Sequence, residues 1–266
     1  RLFRFLNIST IGEKYMNENI FNGIADIYDK YRPSYPHALF TYLCSEAGMN
    51  ASTAVADIGS GTGILSKELL DICNLVYAVE PNNDMRKIAE LNLSYRDNFV
   101  SINATAEATT LQEHCVNYIT AAQSFHWFNR IAFKIECQRI LKDKGQVILI
   151  WNCRDEKSER VQAIDLISKK FCPDFSGSSR GMRGAISADD YKNFFTGNYI
   201  TKSFSNPLIF NLENFLGLHQ SASYCPTRSE ENYSKYMESL TNFFESHCRN
   251  GLLTLENNTH CYIGYV

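Results

Sequence analysis

This chain of 266 residues lacks the sequence signals of several common protein classes. No two of its nine cysteines form a Cys-x-x-Cys pair, so the usual spacing of a zinc site is absent and we expect no bound metal. An odd number of scattered cysteines favours reduced thiols over a disulfide framework. No apolar run is long enough for a membrane-spanning helix, and RLFRFLNIST contains no continuous apolar stretch of the kind found in a signal peptide. We therefore expect a cytoplasmic protein with no membrane partner.

Long runs of one charge are also absent. Charged residues make up 21% of the chain and the formal net charge is -3, without a long basic segment. Because binding to a phosphate backbone needs clustered lysines and arginines, this composition speaks against a nucleic-acid partner. The hydrophobic fraction of 44% is typical of a globular protein. Whether the protein is a monomer or a homodimer stays open.

Short apolar runs alternate with helical periodicity through the middle of the chain. The expected strands lie at 54–58, 75–80, 99–103, 117–122 and 146–151. The expected helices between them lie at 63–72, 82–93 and 128–141. Strands that alternate with helices form right-handed βαβ units with a mostly parallel sheet. The sequence therefore predicts an α/β fold with a doubly wound sheet.

The segment VADIGSGTG (55–63) carries three glycines directly after the first predicted strand. Gly59 permits a sharp exit from the strand, Gly61 lets the backbone approach a ligand, and Gly63 lets the next helix pack closely. In doubly wound sheets, ligands bind at the carboxyl ends of the strands, where the strand order reverses. We therefore expect a cofactor at this turn.

Four nearby residues distinguish between the cofactors that use such turns. The nicotinamide fingerprint G-x-G-x-x-G requires a glycine where this chain has Ile64. Asp57 would repel a pyrophosphate but suits a cofactor with ammonium and sulfonium groups. Glu80 ends the second strand and can accept hydrogen bonds from both ribose hydroxyls, while Met85 is placed to lie against an adenine ring. These features favour S-adenosyl-L-methionine over NAD.

Five segments together resemble the class I S-adenosylmethionine-dependent methyltransferases in order and spacing: VADIGSGTGILS, VYAVEPNNDMRKIAE, ATAEAT, AAQSFHWFN and RILKDKGQVILIWN. More narrowly, YDKYRPSYP and SFHWF resemble the small-molecule branch that includes methyltransferase type 11 and trans-aconitate methyltransferase-like proteins. The resemblance implies a Rossmann-like, seven-stranded sheet with only the last strand antiparallel. The helical segments after Trp151 are expected to be lid insertions that cover the ligand edge of this sheet. It also implies S-adenosyl-L-methionine as cofactor and S-adenosyl-L-homocysteine as product.

The resemblance further assigns residues to the cofactor. Ala106 with Glu107 would present groups to the adenine, and Gln123 would lie under the sulfonium. Tyr28 and Arg32 would close over the methionine carboxylate, although Arg32 is as readily explained as a surface residue that caps its helix. The complete predicted cofactor set is Tyr28, Arg32, Asp57, Gly59, Gly61, Gly63, Glu80, Met85, Ala106, Glu107 and Gln123.

The methyl acceptor is expected to be a small organic molecule, methylated at oxygen. No tetrad typical of base methylases follows the fourth strand. Methyl transfer from a sulfonium is an in-line displacement that needs mainly alignment, so few catalytic residues are required. His126 could take the acceptor proton, or could be a packed structural histidine. Phe125, Trp127 and Tyr224 are candidates for an apolar acceptor wall, with core packing as the alternative.

Two other functions stay open: a protein that binds S-adenosylmethionine without turnover and acts through a partner, and a nicotinamide-dependent oxidoreductase. The second is disfavoured by Ile64 and Asp57. The expected organisation is an N-terminal arm or tag-like segment (1–17), N-terminal helices that cap the cofactor site (18–53), a cofactor-binding core (54–152), and the rest of the sheet with helical lid insertions (153–266).

Overall fold

The computed structural model describes Gly23, residues 25–175, Gly177, residues 186–222 and residues 224–266. The predicted arm at 1–17 therefore lies outside the described residues, as does the beginning of the helical region predicted for 18–53.

Nine strands are described. They are β1 (Ala54–Ile58), β2 (Leu75–Val79), β3 (Phe99–Ile102), β4 (Val116–Ala122), β5 (Leu141–Arg154), β6 (Ile200–Ser205), β7 (Leu208–Phe210), β8 (Leu253–Leu255) and β9 (Asn257–Gly264). Seven of them form one sheet in the order β3-β2-β1-β4-β5-β9-β6, and β7 pairs with β8 separately. The last strand, β9, runs antiparallel to β5 and β6, while the other neighbours in the sheet are parallel. The predicted seven-stranded α/β sheet with only its last strand antiparallel is confirmed.

The described α-helices are α1 (Ala25–Tyr31), α2 (His37–Ser45), α3 (Ile64–Leu69), α4 (Asn83–Leu93), α5 (Arg130–Ile140), α6 (Glu159–Phe171), α7 (Ala188–Phe194), α8 (Leu212–Gln220) and α9 (Glu231–His247). Side chains of α2 and α3 join one buried cluster with Val55 and Ile148, and side chains of α5 and α7 join another with Ala56 and Leu149. Neighbouring residues of one strand thus point into opposite clusters. This two-sided burial explains why the parallel strands are continuous apolar runs in the sequence.

A third buried cluster joins the helices α6, α8 and α9, here called the outer helices, with β7 and β8. It contains a polar group of three fully buried residues, in which the Tyr236 hydroxyl lies 3.0 Å from His219 Nδ1 and 3.1 Å from Ser168 Oγ. Helix α1 packs against α8 because Gly217 has no side chain. A Cβ atom there would lie 2.4 Å from the ring of Tyr31.

Two strand regions are irregular. Residues 199–210 contain two strands in different sheets, because the backbone N–H of Asn206 bonds to Asn257 at 2.9 Å and Pro207 has no N–H to continue the ladder. Strand β5 begins at Leu141 rather than at the predicted position 146, and in its first part Lys144 has a φ of 64° and the pairing of β4 with β5 shifts register. Among the helices in the described part of the chain, none is long and apolar enough to cross a bilayer.

Candidate functional site

An open cleft lies at the carboxyl ends of β1 and β4. Because β1 is flanked by β2 on one side and β4 on the other, this is the point where the strand order reverses. Tyr28 and Tyr35 line the cleft from the N-terminal helical region, Gly59 and Gly61 from the turn after β1, and Gln123 from the end of β4. The structure therefore brings several of the predicted cofactor residues to one cavity.

The three glycines of the turn differ in what surrounds them. A Cβ atom on Gly59 would lie 2.6 Å from Ser124 Cβ, and one on Gly63 would lie 2.7 Å from Leu93 Cδ1. At Gly61 no atom of the described residues lies within 4 Å of that position, although its φ of 58° is in the left-handed region. Gly59 and Gly63 thus serve close packing, while Gly61 keeps space free beside the cleft.

Asp57 is a buried acid on the cleft wall. It is 1% exposed, and its two carboxylate oxygens accept hydrogen bonds from Ser66 Oγ at 2.6 Å and from Thr120 Oγ1 at 2.8 Å. Burial raises the pKa of Asp57 to about 6, although both hydroxyl bonds act in the opposite direction. The cleft therefore has a negative charge in its wall at neutral pH, which favours a cationic ligand group.

The carboxylate of Glu80 binds the backbone of the glycine turn. Its Oε2 accepts the N–H of Gly61 at 2.9 Å, and its Oε1 accepts the N–H of Asn82 at 2.8 Å. The side chain is nearly buried, and this burial raises its pKa. A carboxylate held by two backbone N–H groups is fixed in position at the edge of the cleft, where its ribose contact stays a prediction.

Three polar atoms of cleft-lining residues are buried without a hydrogen-bond partner in the described structure: Ser60 Oγ, Thr62 Oγ1 and Gln123 Oε1. Buried polar atoms in native proteins almost always have partners. Gln123 also has a φ of 57°, an uncommon conformation for a side-chain-bearing residue, and its backbone N–H bonds to Ile150 at 2.9 Å. These orphaned atoms fit a polar ligand that would complete the bonding.

Among the described residues that line the cleft, Met85, Ala106, Glu107 and Arg32 from the predicted cofactor set are absent. Met85 and Ala106 are buried, and Glu107 Oε1 accepts the N–H of Asn129 at 2.8 Å. Arg32 donates from Nε and Nη2 to Ser221 at 3.1 and 3.0 Å, and its guanidinium lies 4.7 Å from the ring of Tyr28. Arg32 therefore joins the N-terminal helical region to the outer helices, and its contact with a methionine carboxylate stays a prediction.

His126 follows β4 and stands between aromatic rings. Its ring centroid lies 4.5 Å from that of Trp127 and 5.6 Å from that of Trp151. Burial lowers the pKa of His126 to about 4, so the imidazole is neutral at physiological pH. Its Nδ1 and the indole Nε1 of Trp151 are both buried, and neither has a hydrogen-bond partner in the part of the chain that the structure describes. Trp151 was not predicted from the sequence, because in an apolar strand its indole is indistinguishable from an ordinary core residue.

The other candidates for the acceptor wall are placed differently. Phe125 has no exposed surface and packs against Phe194 at 4.7 Å between ring centroids. Tyr224 is half-buried among the outer helices, with its ring 4.8 Å from Phe175. The structure does not bring these two rings together. In the described part of the chain, no three His, Cys, Asp or Glu side chains are grouped to hold a metal ion.

Sequence reasoning missed several polar residues of the site. Ser66 and Thr120 bind Asp57, and Tyr35 lines the cleft, yet none was predicted. Thr120 could have been predicted only from the register of β1 and β4, in which it is paired with Asp57.

Comparison with known proteins adds a family match and relatives. Residues 56–149 match a family model described as a methyltransferase domain. The chain is 31% identical over 137 residues to an uncharacterized methyltransferase of Mycobacterium tuberculosis (strain H37Rv), with 52% of this chain and 54% of that protein aligned. It is 30% identical over 149 residues to an uncharacterized methyltransferase of Schizosaccharomyces pombe, with 55% and 57% aligned. The chain thus spans about half the length of the curated relatives it matches.

Two solved structures share the fold. A candidate type II methyltransferase from Anaeromyxobacter dehalogenans superposes with a TM-score of 0.60 over 88% of this chain and 98% of that one, at 20% identity. The YcgJ protein of Bacillus subtilis superposes with a TM-score of 0.54 over 87% and 100%, at 16% identity. At these identities the likeness concerns the fold alone.

Proposed function

We propose that this chain, whose residues 56–149 match a methyltransferase domain, is a class I S-adenosylmethionine-dependent methyltransferase that transfers a methyl group from S-adenosyl-L-methionine to a small organic acceptor. The observation that carries the proposal is the buried carboxylate of Asp57 in the wall of a cleft at the strand-order reversal. Within the described part of the chain, the hydrogen-bond donors to this carboxylate are uncharged: the hydroxyls of Ser66 and Thr120 and the backbone N–H of Ser66. A buried acid held in this way is well suited to an ammonium-bearing ligand.

The residues of the cleft fit this cofactor. Asp57 would pair with its amino group, and the orphaned atoms of Ser60, Thr62 and Gln123 would gain partners from its polar groups. The open position at Gly61 leaves room for a ligand to lie against the backbone. When bound, the cofactor supplies a methyl group activated by a positively charged sulfur.

We propose a hydroxyl oxygen as the methylated atom, with His126 as the proton acceptor. The imidazole is uncharged at neutral pH, and its buried Nδ1 has no hydrogen-bond partner among the described residues. In the tautomer that carries the proton on Nε2, Nδ1 would accept a hydrogen bond from a hydroxyl group. As the acceptor oxygen bonded to the methyl carbon, the carbon–sulfur bond would break with its electron pair left on sulfur, and the hydroxyl proton would pass to Nδ1 of His126. An imidazolium with a pKa of about 4 is a far weaker acid than a protonated ether, so the transfer is favourable. The net charge of -3 supports a small molecule over a nucleic acid as acceptor, in a protein that we place in the cytoplasm.

Calorimetric titration tests the proposal directly. The wild type is titrated with S-adenosylmethionine, S-adenosylhomocysteine and NAD, beside Glu80→Gln, Glu80→Ala and a control variant, Glu238→Gln, at an exposed acid of α9. We expect both sulfur compounds to bind to the wild type and the control, with weaker binding in both Glu80 variants and no binding of NAD. If neither sulfur compound binds, or if NAD binds in their place, the proposal is wrong.

Turnover separates the enzyme from a silent cofactor-binding protein. Wild type and His126→Ala are incubated with S-adenosylmethionine and a panel of small hydroxyl compounds, and formation of S-adenosylhomocysteine is measured. We expect turnover by the wild type that is reduced in the variant while cofactor binding is kept. Cofactor binding without turnover on any acceptor would favour the non-catalytic alternative.

A further inference from the structure

Two asparagines from the outer part of the sheet hold the loop between α1 and α2. The side-chain nitrogens of Asn152 and Asn206 both donate to the carbonyl oxygen of Ser34, at 3.3 and 3.2 Å. Asn152 belongs to β5, and Asn206 directly follows β6. Ser34 is exposed, and the residue after it, Tyr35, lines the cleft. The two amides thus fasten a surface loop whose next side chain forms part of the ligand cavity.

Both amides are themselves held in a fixed orientation. The hydroxyl of Thr259 donates to Asn152 Oδ1 at 2.5 Å, and Asn206 Nδ2 lies 3.2 Å from both of these oxygens. Asn206 also exchanges hydrogen bonds with Asn257, through its backbone N–H at 2.9 Å and its carbonyl oxygen at 3.1 Å. Thr259 and Asn257 are buried residues of β9. Since the donors are fixed on the sheet, their bonds fix the position of Ser34.

Asn152 also contacts a second residue that lines the cleft, Gln123. Its backbone carbonyl oxygen accepts from Gln123 Nε2 at 3.3 Å, and Gln123 lines the cleft. One residue therefore binds both the end of β4 and the loop before α2. Asn152, Asn206 and Thr259 all lie outside residues 56–149, the segment that matches the methyltransferase model.

We propose that Asn152 and Asn206 are positioning residues for cofactor binding, which hold the Ser34–Tyr35 segment in place as one wall of the cleft. The inference rests on the proposed function, because the ligand it concerns is the cofactor. Loss of either amide donor would release the loop while leaving the glycine turn and Asp57 intact. A bound ligand would then leave more readily, since the wall that covers it would open more often.

The variants Asn152→Asp and Asn206→Asp test this, because they keep the size of the side chain and remove the N–H donors. Asn258→Asp is the matched control: it makes the same change on β9, between Asn257 and Thr259, where side chains alternate between the faces of the sheet. Binding of S-adenosylhomocysteine is measured by stopped-flow and calorimetry, and melting temperatures are measured without ligand. If Asn152→Asp does not fold, Asn206→Asp, which lies outside regular structure, carries the test.

We expect the dissociation constant to rise about fivefold in each test variant, through a faster dissociation rate, with the control unchanged. The unliganded melting temperature should stay close to that of the wild type. Unchanged binding in both variants, an equal effect in Asn258→Asp, or a loss of affinity that follows a fall in melting temperature would each overturn the inference. If the wild type fails to bind S-adenosylhomocysteine, the proposed function is wrong, and this inference is wrong with it. If the wild type binds and both test variants bind equally well, only this inference is wrong and the proposed function stands.

Discussion

The hydroxyl group of Ser66 donates a hydrogen bond of 2.6 Å to Asp57 Oδ2 and so links the first helix of the core to the wall of the cleft. Thr120, from the neighbouring strand, donates to the other carboxylate oxygen. Both bonds stabilise the ionised acid, whereas burial destabilises it, and burial is the larger effect on the pKa. The charge on this wall therefore changes within the pH range where the protein can be studied.

Cofactor binding should depend on pH through Asp57. With a pKa of about 6, about a tenth of Asp57 is ionised at pH 5 and most of it at pH 7. Because an ammonium group favours the ionised acid, we expect S-adenosylhomocysteine to bind about tenfold more tightly at pH 7 than at pH 5. Calorimetry at both pH values measures this, with Asp57→Asn as the comparison. An equally steep dependence in the variant would assign the effect to another group.

The same acid should reduce the stability of the unliganded protein at neutral pH. Its folded pKa of about 6 lies above the ordinary value of 3.8, so its stabilising contribution is complete below about pH 4 and is lost as the pH rises through 6. We expect Asp57→Asn to gain stability relative to the wild type between pH 4 and pH 7, on the order of 2 kcal/mol. Urea unfolding at a series of pH values measures the difference. A difference that is constant across the series would contradict the assignment.

Alanine substitutions at Gly59 and Gly61 should affect protein stability and ligand binding differently. Gly59→Ala places a Cβ atom 2.6 Å from Ser124 Cβ, and we expect it to lower the free energy of unfolding by about 3 kcal/mol. Gly61→Ala meets no atom and should cost only about 1–2 kcal/mol, from its left-handed φ. It should nevertheless weaken S-adenosylhomocysteine binding by about tenfold or more, because the methyl group occupies the space beside the cleft. Wild-type affinity in Gly61→Ala would mean that the ligand does not approach this position.

The buried hydroxyl of Tyr236, among the outer helices, should contribute to the free energy of unfolding but not to cofactor affinity. Tyr236→Phe would leave His219 Nδ1 and Ser168 Oγ without the partner that lies 3.0 and 3.1 Å from them, and we expect a loss of about 2 kcal/mol in unfolding free energy. Tyr233→Phe is the matched control, since its hydroxyl accepts a part-buried bond from Gln220 and its loss should cost less than about 1 kcal/mol. Chemical denaturation measures both. A change in cofactor affinity in Tyr236→Phe, at unchanged stability, would instead link this cluster to the cleft.

Local patterns in the sequence predicted the sheet because its parallel strands are buried on both faces and therefore stand out as apolar runs. They also predicted the glycine turn, whose conformation depends on residues within one short segment. The polar residues around the cleft could not be predicted in this way. Asn152 and Asn206 reach Ser34 across 118 and 172 positions of the chain, and only the assembled sheet brings them together. The same applies to Pro207, where tertiary pairing divides one apparent strand into two.

The lowered pKa of His126 could not be predicted from the sequence either. Its ordinary pKa of 6.5 suggested a base that titrates near neutrality, but rings from β5 and from the adjoining segment exclude water and lower that pKa to about 4. Desolvation of this kind depends on the packing of residues 25 positions apart in the chain, His126 and Trp151, and leaves no mark in the local sequence.

The missing side chain at Gly217 has a mechanical consequence. The ring of Tyr31 occupies the space where a Cβ atom of residue 217 would lie, so α1 and α8 can approach this closely only with glycine at that position. Any larger residue would displace α1, and Tyr28, one turn earlier on the same helix, would move with it. A substitution at Gly217 on the outer helices would thus change the shape of the ligand cavity by moving Tyr28, without contacting the ligand. Directed evolution for new acceptors therefore has a target remote from the residues that bind them.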